Sequence, residues 1–225
     1  MPLTDGLAAY YRFQSDGADA SGNGQTLTLS NQTFGPGKLG NCLLTGSGNR
    51  AQLAGLSAAT AVSITGWVRC PRSGLGQGYA ALDFFGPRFG LVVTDAPPSD
   101  VHVQEPATGL SADVPGVGSG TFLHLAATYD GTTTRLYVNG SQVGSAAGGP
   151  AGWQSLPLTV NTDALVSTPL PWDEVGVWAR ALTPAEVSAL HAGGSGLDPT
   201  VPPSPNRPEA RWSAPPRAAL WSPHG

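Results

Sequence analysis

Short runs of apolar and β-branched residues recur along the chain, each closed by Gly, Pro, Asn or Asp: LAAYYRF, TLTLS, CLLTG, AVSITGWVRC, FGLVVTD, DVHVQE, TFLHLAATYD, TRLYVNG, SQVGSA, LPLTV and DEVGVWAR. Runs of this length and spacing predict strands, and their number predicts an antiparallel two-sheet sandwich or jelly roll. The sharpest local signal is HLAATYDGTTTRLYVNGSQVGS. There DGTT and then Asn139-Gly140 predict two successive hairpin turns, because Asn and Gly both tolerate positive φ. Within TRLYVNG, Leu136 and Val138 alternate with Arg135, Tyr137 and Asn139, which predicts one core side and one wetter side. The periodicity changes once. In LTPAEVSALHAGG, Thr183 predicts an N-cap, Pro184 the first helical position, Glu186 the closing member of a capping box, and Gly193 or Gly194 the end of the helix. Leu182, Val187 and Leu190 are its expected contacts with the sandwich.

Composition sharpens this picture. Charged residues make up 12% of the chain, while Gly 31 and Pro 21 are abundant, so many turns and few helices are expected in one all-β domain over residues 1–196. Residues 197–225 hold eight prolines and cannot build a core, which predicts an extended arm or linker. Arg207, Arg211, Trp212, Arg217 and Trp221 give that arm more anchors than an inert spacer needs. The net charge of −4 and the absence of a Lys/Arg run argue against nucleic acid as a partner. No bilayer-length apolar stretch and no export-type N-terminus occur, so the expectation is synthesis in the cytosol without membrane insertion. Cys42 and Cys70 lack metal-type spacing and are expected to be buried thiols; a disulfide between them is the alternative.

Candidate chemistry centres on WDEV. Retaining glycoside hydrolysis needs two carboxyl groups ~5 to 5.5 Å apart, which an i, i+2 spacing on a strand supplies. Asp173 and Glu174 are adjacent, so a regular strand would send them to opposite faces; no E-x-D-x-E pattern and no G-x-S-x-G occurs. The chain is therefore expected not to be an enzyme. His124 lies inside a predicted strand, and nothing in the sequence around His102 marks a site.

The blocks GLAAYYRFQSDGADASGNGQTLTLSNQTFGPGKLGNCLLTGSG, AVSITGWVR, FLHLAATYDGTTTRLYVNGSQVG and DEVGVWARALTPAEVSALHAGG, in that order from Gly6 to Gly194, resemble the LamG-like domains of the concanavalin A-like lectin/glucanase superfamily. The resemblance implies a concanavalin A-like jelly roll of two antiparallel sheets, with His124 as a hydrogen-bonded histidine of the sandwich. It also implies a calcium site, for which Asp19, Asn23 and Asp173 are the candidate ligands, with hard oxygen donors of the kind Ca²⁺ prefers. Gln14 departs from the pattern, standing where many relatives place an acidic residue.

Glycan binding is the function most often attached to this fold, and it calls for aromatic platforms. Trp153, Tyr79 and Trp172, each in a Gly- or Pro-rich context, are the candidates, whereas Trp67 and Trp178 are expected in the core. Two long stretches, 72–90 and 94–120, are the expected binding surface. These readings predict a non-catalytic structural or recognition protein, a decoration or attachment subunit of a larger particle such as a phage virion, with glycan binding on the jelly-roll surface. The alternative is a free-standing lectin-like carbohydrate-binding module at a cell surface. The expected partners are other subunits, bound through the arm, and surface glycans. The expected location is a virion surface, or else the cell exterior.

Overall fold

The computed structural model describes residues 1–45, 50–53, 55, 60–69, 79–84, 89–94, 100–104, 109–113, 120–149, 158–162 and 170–201. Two antiparallel sheets account for most of them. Sheet I contains β1 (Leu7–Tyr11), β3 (Thr33–Pro36), β4 (Asn41–Thr45), β6 (Val62–Arg69), β11 (Phe122–Tyr129), β12 (Thr133–Val138), β13 (Ser141–Ala147) and β15 (Leu170–Trp178). Its order is β13-β12-β11-β6-β15-β4-β3, with β1 also paired to β15. Sheet II contains β2 (Thr28–Ser30), β5 (Arg50–Leu53), β7 (Tyr79–Phe84), β8 (Phe89–Thr94), β9 (Asp100–Gln104), β10 (Ser111–Asp113) and β14 (Leu158–Thr162), in the order β10-β9-β8-β7-β14-β5-β2. This is the jelly-roll sandwich that the strand spacing predicts.

Alternate residues of both sheets fill the space between them. Ile64, Val68, Leu125, Leu136, Trp172, Val175 and Val177 of sheet I meet Ala51, Phe89, Leu91, Val93, Leu158 and Val160 of sheet II in one buried cluster. A second cluster lies on the other side of sheet I, where Leu7, Tyr10, Ala126, Tyr137 and Trp178 pack under Leu182, Val187 and Leu190. The latter two belong to α1 (Pro184–His191). The expected wetter side of β12 is thus roofed at Tyr137, which is fully buried. Amphipathic alternation shows that a strand has two faces; it does not show that a helix elsewhere in the chain covers the second.

The local signals act as their chemistry dictates. Asp130 Oδ1 accepts from the backbone N–H groups of Thr132 and Thr133, and its Oδ2 accepts from Arg135 at 2.6 Å, which closes the DGTT turn. Asn139 and Gly140 adopt φ of 49° and 78°, the left-handed pair that a two-residue hairpin needs. Thr183 accepts from the Glu186 N–H while Glu186 accepts from the Thr183 N–H, completing the capping box. The helix end differs from expectation, because Ala192 rather than a glycine takes the left-handed cap, at φ 49°. A Cβ in that conformation is strained. Ala192→Gly is therefore expected to raise stability by about 0.5–1 kcal/mol, read as a higher denaturant midpoint at unchanged slope.

The stretches 72–90 and 94–120, expected as binding loops, contribute β7 to β10 instead. Cys42 is a buried free thiol, and burial pushes it up to about 11; Cys70 lies outside the described residues. Among the described residues no helix is long and apolar enough to cross a membrane. Residues 197–201 stay bound to the sandwich rather than leaving it at Gly196. The Leu197 N–H donates to the Leu190 carbonyl at 3.0 Å, and Arg12 reaches Asp198 at 2.5 Å and Thr200 at 2.6 Å.

Candidate functional site

The adjacent carboxylates of WDEV do not point to opposite faces. Asp173 pairs with Trp67 and Gly176 with Thr65, so Glu174 and Val175 both stand against Gly66. That extra residue is a β-bulge, and Glu174 absorbs it at φ 50°. Trp172 and Val175 face the inter-sheet core, while Asp173 and Glu174 both lie on the helix side of sheet I. Strict alternation fails here because a bulge shifts the period by one.

Both acids are buried and tied to the protein. Asp173 Oδ2 accepts from the N–H groups of Lys38 at 2.6 Å and Leu39 at 2.9 Å, and its Oδ1 accepts from the Glu174 N–H at 2.9 Å. A Cβ on Gly37 would sit 2.6 Å from that Oδ2, so the close approach requires glycine. Gln14 braces the same loop, donating to the Leu39 carbonyl at 2.6 Å and accepting from the Asn41 N–H at 3.1 Å. An amide both donates and accepts there, which an acidic residue could not do. Glu174 accepts from the Tyr10 hydroxyl. Burial pushes Glu174 up to about 8 and Asp173 up to about 7, with the charge of Asp173 adding to the shift on Glu174.

Beside them Lys38 Nζ lies 4.5 Å above the Trp67 ring, which stacks on His191 at 5.6 Å and meets His124 at 5.1 Å. Burial, then His191, pushes His124 down to about 3, so it packs as a neutral ring. Its Nδ1 has no hydrogen-bond partner among the described residues, which departs from the bonded histidine expected. Perturbed groups often mark active sites. Among the described residues, the bonds of Asp173 and Glu174 hold the bulge, the 37–40 loop and Tyr10 in place.

The oxygens expected to bind calcium are already engaged by protein groups. Asp19 Oδ1 accepts from the N–H groups of Tyr10 and Ser21, and its Oδ2 accepts from the Ser21 hydroxyl and the Gln25 N–H, all at 2.9–3.0 Å. Asn23 turns its amide nitrogen to the carbonyls of Leu7 and Ala8. Four donors thus surround the Asp19 carboxylate and a cation would have to displace them. Asp173, the third candidate, is engaged with the 37–40 loop. Among the described residues no group of three His, Cys, Asp or Glu side chains is placed to hold a metal ion. These residues organise the first loop and β15 as they stand, and no chemistry is assigned to calcium.

Of the aromatic candidates, Trp172 is a core residue. It is completely buried, and its ring packs over Gly66 at 3.2 Å from where a Cβ would stand. The preceding Leu-Pro suggests a loop, but Leu170 to Trp172 pair with β4. Tyr79 is the first residue of β7, paired with Thr94. Trp153 and the arm residues Arg207, Arg211, Trp212, Arg217 and Trp221 lie outside the described residues.

The register of sheet II reveals a feature that no single run suggests. One row of directly paired positions crosses it as Thr28, Gln52, Thr159, Asp83, Gly90 and Gln104. A second crosses as Ser30, Arg50, Asn161, Ala81, Val92, His102 and Ser111. Directly paired residues share a face. Their sequence neighbours Ala51, Leu91, Leu158 and Val160 fill the core, so both rows occupy register positions on the far face. Thr159 is only 2% exposed, and its hydroxyl has no hydrogen-bond partner among the described residues. Of these positions Gln52 is half-buried and Thr28, Ser30 and Ser111 are exposed, so an amide and hydroxyls of the kind that bind a polyhydroxyl ligand are presented on this face. LPLTV and DVHVQE were legible as strands in the sequence; RAQL and YAALDF, and the register that aligns all four, were not.

The fold is shared with solved structures of low sequence identity. The binding domain of Paraclostridial Mosquitocidal Protein 1 superposes with a TM-score of 0.66 at 17% identity, over 84% of this chain and 52% of that one. Domain 4 of AbnA, an extracellular GH43 arabinanase from Geobacillus stearothermophilus solved with arabinotriose, gives 0.62 at 20%, over 81% and 97%. The receptor binding domain of botulinum neurotoxin D gives 0.68 at 11%, over 85% and 53%. The chain spans about half the length of these toxin domains and nearly all of the arabinanase domain. No curated protein matches the sequence. The Laminin_G_3 family model, described as concanavalin A-like lectin/glucanases superfamily, matches residues 45–188, more than half of the sequence, and the chain belongs to that family.

Proposed function

We propose that this protein is a non-catalytic recognition module that binds glycan on the far face of sheet II. The observation that carries the reading is the alignment of polar register positions on that face, Gln52, Asp83 and Gln104 in one row and Arg50, Asn161 and His102 in the next. The burial of Asp173 and Glu174 among protein donors supports a role without acid–base chemistry, since neither can approach a scissile bond. The arabinanase domain seen with arabinotriose shows that a domain of this fold and length can hold a sugar.

The attachment reading adds a carrier. Arg12 fixes Asp198 and Thr200, so the Pro-rich arm starts from a set point on the domain. That arrangement suits a decoration or attachment subunit of a particle such as a phage virion, with the arm reaching a neighbouring subunit and the sandwich facing outward.

A glycan array followed by titration calorimetry tests the binding reading, run with calcium and then with chelator. The expected result is an oligosaccharide whose affinity falls at least ten-fold in Gln52→Ala and in Asp83→Ala, each melting like the parent. An array without a binder, or variants that bind like the parent, would overturn it.

A further inference from the structure

Beside the root of the arm lies an apolar groove of about 470 Å³, lined by Pro2, Leu3 and Thr4 on one wall and by Leu197 to Val201 on the other. Both walls are held in place. The Leu3 carbonyl accepts from the Trp178 indole N–H at 2.7 Å, and Arg12 clamps Asp198 and Thr200. Val201 at its rim is 54% exposed, an uncommon exposure for a large aliphatic residue here.

Resting on the reading of residues 202–225 as an assembly arm, we propose that this groove receives the arm of a second copy of the chain. Three observations select that occupant. The arm carries apolar anchors of matching character, Trp212, Leu220 and Trp221. Residues 1–201 hold eight basic and fourteen acidic side chains, net −6, whereas residues 202–225 hold three arginines and one glutamate, net +2. Two bodies of like charge repel, and a basic arm laid across the second offsets that repulsion. The third observation is composition: Pro202, Pro203, Pro205 and Pro208 predict an extended, stiff start of the arm. At ~3.1 Å per residue such a start would place Trp212 roughly 34 Å from Val201, which favours another molecule's groove over the arm's own.

Light scattering of the full-length chain, with Val201→Asp and with Trp212→Ala/Trp221→Ala, decides the matter. Val201 is exposed, so its variant is expected to melt like the parent. The expected result is a defined oligomer for the parent, dissociation at least ten-fold easier in both variants, and weakening of the parent oligomer by added salt. An oligomer lost in the arm variant but kept in Val201→Asp would overturn the groove while leaving the arm reading in place. A parent oligomer kept in both variants would overturn the groove and the arm together. A parent that stays monomeric would overturn self-docking.

Discussion

Replacing Trp172 by alanine is expected to cost about 3–5 kcal/mol of stability, the range for truncating a large aromatic in a packed core. The residue is completely buried in the inter-sheet cluster and opposite Gly66, whose missing side chain makes room for its ring. Little can collapse into the space, because strands fixed by hydrogen bonds on both sides set the backbone positions around it. The melting temperature should fall by roughly 10 °C, at about 2–4 °C per kcal/mol for a domain of this size. Glycan affinity measured below the new melting point should be unchanged. A variant that melted like the parent and lost sugar binding would restore Trp172 to the surface platform its sequence context suggests.

The second large effect concerns pH. Glu174 is held in the folded state at about 8, above its ordinary carboxylate value near 4.5. The folded chain therefore binds a proton that the unfolded chain has already released, and stability falls as pH rises toward 8. Asp173, raised to about 7, acts in the same direction. Below about pH 6.5 the sign is confounded, since His124 and His191 are both depressed and favour the folded state as pH rises. Between pH 6.5 and 9 the carboxylates dominate among the described residues, with Cys42 adding in the same direction near pH 9, and a loss on the order of 2 kcal/mol is expected at about 1.4 kcal/mol per unit. Denaturant titrations at these two pH values read it directly. Glu174→Gln should flatten most of the dependence, because an amide can still accept from Tyr10 without ionising. A parent whose stability rises over the same interval would show that the buried pair is ionised at neutral pH.

Much of the architecture was legible because it is written in local chemistry. The Asn139-Gly140 turn, the Asp130 turn and the Thr183 capping box depend on residues within a few positions of each other, and each forms as its composition requires. The short strands β3, β5, β7 and β10 escaped notice, since each is three to six residues long and broken by Gly, Pro or polar residues. The bulge at Glu174 was invisible for a different reason. Nothing in WDEVG marks an inserted residue until β6 and β15 are set side by side. The candidate site divides the same way: Asp19 and Asn23 announce a structured loop, whereas the rows of sheet II exist only after seven strands have been put in register. Trp172 misled because a proline before an aromatic suggests a loop, and here the pair begins a central strand.

Strand β15 sits between β6 and β4 and also pairs with β1, yet it is made after every other strand. During synthesis the nascent chain must carry β6 and β4 with unsatisfied edges until β15 has emerged, and such edges invite intermolecular pairing. Folding of sheet I is thus a late event that follows release of the strand from the ribosome rather than a stepwise growth from the N-terminus. A ribosome stalled before Leu170 would present an aggregation-prone half-sheet, and the same chain extended past Leu190 would also gain the helix that seals Trp178.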